Sequence, residues 1–261
     1  MGVNVRNFAG FEINMLQEER HQFILQQLAE HKTIHSEEVS RQLKVSGDTT
    51  RRDLIQLEKA GKLLRVHGGA IATDFHNPFQ PEQVYAKKEK IIIARKALSL
   101  VKDGMTLLAG GGTVMLEFAR LLPENLKGTL FTVSPLVALE AAQRSTIDVI
   151  LVAGQLSRNA YICTGATVVK QLADIRADLC LMGTHGFSVV EGVTDYDWDV
   201  VQIKKAMLQS AERTALLAIA ERKDVVHKLR VCPLRDIDYL ITEQPPTDKR
   251  FAGYRTHCKI L

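Results

Sequence analysis

The sequence predicts an α/β protein in two parts: a small N-terminal domain of helices and a β-hairpin (residues 15–73) and a larger α/β domain with a mostly parallel sheet (residues 90–261). Three observations lead there. From Met105 onward six short apolar runs recur, MTLLAG, TLFTVS, DVILVAG, ADLCLMG, TALLAIA and IDYLIT, most of them separated by helical stretches such as VMLEFARLL and VVQIKKAMLQ. Strands alternating with helices imply parallel pairing, because a parallel neighbour is reached only through a crossover. The first quarter instead carries three short helical patterns and then a glycine-turned pair of apolar runs. Between the two regions, TDFHNPFQPEQVYAKKE has two prolines and many polar residues, which marks a linker over 74–89.

Composition narrows the class. The 261 residues are 46% hydrophobic and 25% charged, values of an ordinary globular protein. No window approaches the roughly 20 apolar residues of a membrane span, and the N-terminus lacks a signal-peptide core. The expectation is a cytoplasmic protein with no membrane partner. Cys163, Cys180, Cys232 and Cys258 have no CxxC spacing and read as buried reduced thiols. Residues 1–14 have no periodicity and read as a loose arm. No internal repeat or low-complexity tract occurs.

The N-terminal elements follow in order. Ile24, Leu25, Leu28 and Ala29 form an apolar stripe on a helix starting near Leu16. Ser36 reads as the N-cap of a second helix, with Glu37 and Glu38 in its first turn and Val39 and Leu43 facing inward. KVSG breaks it. Ser46 caps a third helix that stops near Gly61, a natural residue just past a helix end. KLLRVHGGAIA then reads as two short strands about a glycine turn.

Charge is uneven across this domain. Residues 16–40 hold two basic and five acidic side chains, whereas residues 41–67 hold seven basic and three acidic. A module with one cationic half can turn that half toward a polyanion. At 100° per residue, Leu54, Leu57 and Gly61 share a face with Thr50, while Thr49, Arg52, Gln56 and Lys59 fall opposite. Asp48 and Ile55 lie beside that polar face, and Arg51 flanks it. A solvated helix face is the bland alternative. Three short helices, a tight turn at 44–47 and a following hairpin instead favour a winged helix-turn-helix on double-stranded DNA. Arg52 and Gln56 suit base edges, Thr49 a base or phosphate, and Arg51, Lys62 and Arg65 phosphates. Ser46 and Asp48 at the helix start, and His67 with its glycines in the wing, complete the candidate DNA-contacting set.

The stretch from Arg20 to Ile71 closely resembles the winged helix of DeoR-type bacterial transcription regulators. Their pattern appears here as VS at 45–46, TTRRDL at 49–54, LEKAG at 57–61 and LRVHGGA at 64–70. Thr50 stands where relatives usually carry isoleucine, which predicts a small loss of core packing rather than a changed base contact.

In the larger domain, AGGGTVMLEF (109–118) follows a strand and opens a helix. Glycines there let backbone N–H groups close around an anion at a helix N-terminus; a tight turn without ligand is the alternative. The candidate ligand residues are Gly111, Gly112, Thr113 and Val114. Thr164 and Gly165, before a further helix, offer a second anion contact. His185 in GTHG either lines the pocket or is an ordinary loop histidine. DYDWDV (195–200) invites a calcium reading, but helix capping explains its carboxylates more simply, and no metal or cofactor is expected.

Most of residues 75–245 also resembles the DeoR-type effector domain, a Rossmann-like fold shared with ribose-5-phosphate isomerase and glucosamine-phosphate deaminase. The resemblance implies a phosphorylated sugar or similar small anion as effector, held at the strand ends. Ser134 takes the place of the family's asparagine, and Lys223 matches its lysine. Gly110 and Ala220 stand where relatives tend to carry aspartate, so the phosphate-cradling shape is kept better than the hydroxyl-reading side chains. The expected protein is a homo-oligomeric repressor without enzymatic activity. A purely oligomerising C-terminal domain, or an isomerase with a DNA-binding appendage, are the competing readings.

Overall fold

The computed structural model describes residues 16–31, 33–66, 68–72 and 86–261. The chain divides into two compact units, Met1–Phe75 and His76–Leu261. The expected arm over residues 1–14, most of the proposed linker, and His67 lie outside the described residues.

In the first unit, α1 (Gln17–His31), α2 (Ser36–Leu43) and α3 (Gly47–Lys59) surround a core of Ile24, Leu28, Val39, Leu43, Leu54, Leu57 and Leu63. The wing is β2 (Leu63–Val66) and β3 (Gly69–Ala72), antiparallel. A third strand, β1 (Thr33–His35), pairs with β3, which local periodicity did not indicate. Its pairing explains one glycine of the wing. A Cβ on Gly69 would sit 1.9 Å from the Ile34 carbonyl oxygen, so the domain's own backbone requires glycine there. The cap of α2 also differs from expectation. His35 is the N-cap and Ser36 the first helical residue, its N–H donating to the Gly68 carbonyl at 2.8 Å.

In the second unit, α4 (Lys87–Leu98) opens inside the segment that composition assigns to the linker. There follow β4 (Met105–Ala109), α5 (Thr113–Arg120), β5 (Gly128–Thr132), α6 (Pro135–Arg144), β6 (Asp148–Leu151), β7 (Gln155–Leu156), β8 (Cys163–Thr164) and α7 (Ala166–Ala173). Next come β9 (Leu179–Gly183), β10 (Gly186–Ser188), β11 (Gly192–Asp195), α8 (Trp198–Gln209), β12 (Thr214–Leu217), β13 (Leu229–Cys232), β14 (Tyr239–Ile241) and β15 (Lys259–Ile260). All six apolar runs enter one parallel sheet, with β15 added at its edge, in the order β15-β14-β12-β9-β4-β5-β6. Two small antiparallel sheets, β10-β11-β13 and β7-β8, stand beside it.

Side chains alternate across the sheet as its pleat requires. Leu107 and Ala109 join a core with Ile93, Phe118 and Val137, from α4, α5 and α6; Leu108 joins another with Val168, Leu172, Ile203 and Met207, from α7 and α8. The chain runs outward from β4 through β5 to β6, then returns to place β9 on the other side of β4. That reversal makes the carboxyl ends of β4 and β9 the switch point of the sheet, the usual place for a ligand in such folds. No described helix is long and apolar enough to cross a membrane.

Candidate functional site

The third helix divides as its sequence requires. Thr50, Asp53, Leu54 and Leu57 are buried, while Asp48, Arg51, Arg52, Gln56 and Lys59 are exposed, as is Lys62 just beyond. Ser46 is the N-cap; its Oγ accepts from the Thr49 N–H at 3.1 Å and lies 2.8 Å from the Thr49 hydroxyl. Gly61 has φ +69°, the left-handed geometry that favours glycine after a helix end. Arg52 pairs with Asp48 at 2.7 Å. Both groups face water, where such a pair contributes little and yields readily to a phosphate or base. On the wing, the Arg65 N–H donates to Glu58 Oε1 at 3.0 Å, with its guanidinium 3.5 Å from Oε2.

What holds this helix was only partly legible. Asp53, 1% exposed, receives a two-pronged guanidinium from Arg20 of α1, Nε to Oδ2 at 2.7 Å and Nη2 to Oδ1 at 3.1 Å, with His21 Nε2 3.3 Å from Oδ1. A buried carboxylate without such partners would be costly, so the pairing fixes α1 against the inner side of α3. The sequence hint was the arginine opening the first helix together with RRD. Thr50 points inward as the wheel places it, but its hydroxyl meets Ser40 Oγ at 2.9 Å. The expected loss of packing is therefore accompanied by an interhelix hydrogen bond.

In the second unit, Gly112 and Gly165 are the N-caps of α5 and α7, with φ +98° and +99° and no side chain capping either helix. Nothing lies within 4 Å of the position a Cβ would take at either glycine. Each helix thus begins with orphan N–H groups that no side chain caps, at the positive end of its dipole and beside space a side chain would otherwise fill. Thr113 and Val114 form the half-buried start of α5. Gly111 lies against Ser134 and Ile162, with its Cβ position 3.4 Å from Ser134 Cβ, and the Cys163 N–H donates to the Val133 carbonyl at 2.7 Å. The structure therefore brings the Gly111, Ser134 and Thr164 segments together.

Their hydroxyls are already engaged. Ser134 is buried and caps α6, its Oγ accepting from the Val137 N–H at 3.4 Å. The Thr164 hydroxyl donates to the Gln155 carbonyl at 3.2 Å.

His185 follows β9 and belongs to a charged cluster. Its Nδ1 lies 3.1 and 3.3 Å from the two oxygens of Asp195, which is 0% exposed. Lys204 of α8 donates to Asp195 Oδ2 at 2.6 Å, and the Tyr196 N–H to Oδ1 at 2.8 Å. Burial opposes the charge on Asp195, but the Lys204 ammonium and the His185 hydrogen bond outweigh it and hold the carboxyl far below the ordinary carboxylate range. Capping accounts for Asp197, whose Oδ1 accepts from the Val200 N–H at 3.1 Å, but not for Asp195. His227 lies with Nε2 3.2 Å from the His185 carbonyl, and burial above all pushes its imidazole below the usual value.

Lys223 follows β12 and has partners of its own. It pairs with Asp224, which accepts from the Tyr254 hydroxyl at 2.7 Å, and lies 5.5 Å from the centre of the Tyr254 ring. The Asp224 N–H donates to the Phe187 carbonyl at 2.7 Å, tying the lysine's segment to β10. Among the described residues, no group of three or more His, Cys, Asp or Glu side chains is arranged to hold a metal.

A winged helix that buries its leucines and turns arginines outward, in one chain with a parallel α/β domain, makes this a DNA-binding transcription regulator with a sensor domain. More narrowly, the chain belongs to the DeoR family. The DeoR C terminal sensor domain matches residues 85–244, and the DeoR-like helix-turn-helix domain matches residues 20–75. The HTH-type transcriptional repressor GlcR of Bacillus subtilis is 31% identical over 235 residues, spanning 89% of this chain and 90% of that protein. The L-fucose operon activator of Escherichia coli is 28% identical over 231 residues, spanning 86% and 94%. Among solved structures, ribose 5 phosphate isomerase A from Neisseria gonorrhoeae is 14% identical with a TM-score of 0.40, covering 54% of this chain and 55% of that one.

Proposed function

We propose that this chain represses carbohydrate or related metabolic genes by binding operator DNA, and that a phosphorylated sugar or similar small anion retunes that binding. The observation that carries the DNA half is the outward Arg51, Arg52 and Gln56 face of a helix anchored through Leu54, Leu57 and Asp53. Arg52 and Gln56 read base edges; Thr49 bonds a base or phosphate; Arg51, Lys62, Arg65 and His67 hold phosphates, and Ser46 and Asp48 organise the helix start. In a gel-shift titration against duplexes selected from a random pool, Arg52→Ala abolishes site-specific retardation. Normal operator binding by that variant sinks the assignment.

The effector half rests on the open N-termini of α5 and α7, where Gly111, Gly112, Thr113, Val114, Thr164 and Gly165 surround an anion, with Ser134, His185 and Lys223 around them. The effector acts only through its differential affinity for DNA-competent and incompetent states. A homo-oligomer fits both halves, because one recognition helix rarely supplies enough specificity and half-sites mirror protein symmetry. Edge strand β6 supports this, since no described strand pairs with its outer edge and its adjacent Ile150 and Leu151 are both exposed.

Catalysis is not part of the proposal. An isomerase needs a carboxylate base in reach of substrate. MGTHGF has no acidic side chain, and the nearby Asp195 is committed to Lys204 and His185. Turnover of ribose-5-phosphate or glucosamine-6-phosphate reverses that judgement. The internal engagement of Ser134, Thr164 and Lys223 favours a second reading, a C-terminal domain that only oligomerises. Calorimetry across phosphorylated metabolites separates the two: a hit supports sensing, and no hit across a broad panel supports the scaffold.

A further inference from the structure

We infer that Gln17, the first residue of α1, is a specificity-determining residue that acts through Gln56, holding its amide in the orientation presented to a base edge. The inference rests on the base-reading role proposed for Gln56. Gln17 Nε2 donates to Gln56 Oε1 at 2.5 Å, joining side chains 39 positions apart in sequence. One helical turn along the same seam, Arg20 grips Asp53. Residues 17 and 20 of α1 thus face 56 and 53 of α3, three apart on each helix, where side chains share a face. The arginine fork on the buried Asp53 fixes the two helices, and the exposed glutamine pair at its rim inherits that fixed geometry.

The chemistry of the amide gives the contact a consequence. A glutamine side chain offers one oxygen with two lone pairs and one NH₂ with two donors, and flipping it exchanges the two ends. Pairing with adenine requires the oxygen opposite N6 and the NH₂ opposite N7, so an inverted amide reads nothing there. In this structure Gln17 is the donor, and the oxygen is the end of Gln56 that faces α1. The second lone pair of that oxygen and both N–H groups remain for the groove. A tethered amide also loses less rotamer freedom when DNA arrives, and that freedom is among the larger side-chain entropies. Gln17 need touch no base to do this. It is a positioning residue, and its removal affects discrimination rather than attraction.

The test uses the full chain and duplexes that the unaltered protein selects from a random pool. Competition titrations compare Gln17→Leu, Gln56→Ala and the double variant on the selected duplex and on its single-base-pair substitutions, with thermal melts checking the fold. Gln17→Leu is expected to lose about three- to tenfold discrimination at the base pair where Gln56→Ala also loses it. Affinity for random duplex and its salt dependence stay unchanged, and the double variant is no worse than Gln56→Ala alone. If Gln56→Ala loses discrimination while Gln17→Leu keeps it, or if the two losses add, the inference fails and the role of Gln56 stands. If Gln56→Ala keeps every preference, the base-reading role falls and the inference with it.

Discussion

Asp53 in the first unit and Asp195 in the second make a natural pair. Both are buried, at 1% and 0% exposure, and each lies between a cation and a histidine: Arg20 and His21 for Asp53, Lys204 and His185 for Asp195. The consequences differ. Around Asp53 the inward charges are satisfied by α1, and the arginines of the recognition helix are left on the open face. Around Asp195 the cluster absorbs His185, a residue that the sequence offers as a ligand contact. A buried carboxylate can therefore hold a functional surface in place or take up the polar groups of one, according to which side of its element the partners occupy.

The largest effects test this pairing directly. Lys204→Met leaves Asp195 buried without its ammonium, and Arg20→Met does the same to Asp53. Each is expected to cost about 3–5 kcal/mol. Urea unfolding read by Trp198, the single tryptophan, reports the second unit; circular dichroism follows the helices of both, so a transition it shows that Trp198 does not belongs to the first. A cost below about 1 kcal/mol for Lys204→Met would separate the two sites, since losses that small are typical of exposed pairs.

Acid provides a finer comparison. The native pKa of Asp195 is depressed, so its contribution is complete above the unfolded value of about 3.9 and disappears as pH falls through the native one. The native pKa of His227 is also depressed, so stability of the second unit starts to fall below about pH 6.5, where the unfolded chain binds that proton first. Stability curves from pH 7 to 3 should show both slopes; Asp195→Asn should remove the lower one and extend the upper one, because the Asp195 charge favours the protonated His227.

DNA binding gives the next steps down. Arg52→Ala is expected to remove the preference for operator over altered duplexes, at least about 1–3 kcal/mol from the lost base contact, while keeping non-specific affinity. Lys62→Ala should weaken all duplexes about equally and lower the slope of log affinity against log salt by about 1. A selective loss for Lys62→Ala would move it from phosphate to base contact.

Much of the fold was legible because it depends on local rules. Leu54 and Leu57 at helical spacing, Ser46 and Gly61 at the ends of α3, and the unbroken apolar run LCLM all act within a few residues. Ser36 was misassigned because the cap of α2 falls at His35, where the chain leaves β1 in extended geometry. β1 itself was missed: three residues carry too little pattern, and its partner lies 38 positions away at Ile71. In the ligand site, the glycine loops were legible as spacing, while the engagement of Ser134, Thr164 and Lys223 was not.

By itself the sequence determined two domains, the inward and outward faces of the recognition helix, the six apolar strands and the glycine turns. All of these follow from periodicity and backbone preference over short windows. Only the tertiary structure decided that Asp53 belongs to Arg20, that Asp195 belongs to Lys204 and His185, that Gly69 lies against Ile34 and that Gln17 meets Gln56. Buried charges and close backbone approaches are satisfied by whichever group the packed elements bring within about 3 Å. A side chain's identity states that it needs a partner, and the fold chooses which one.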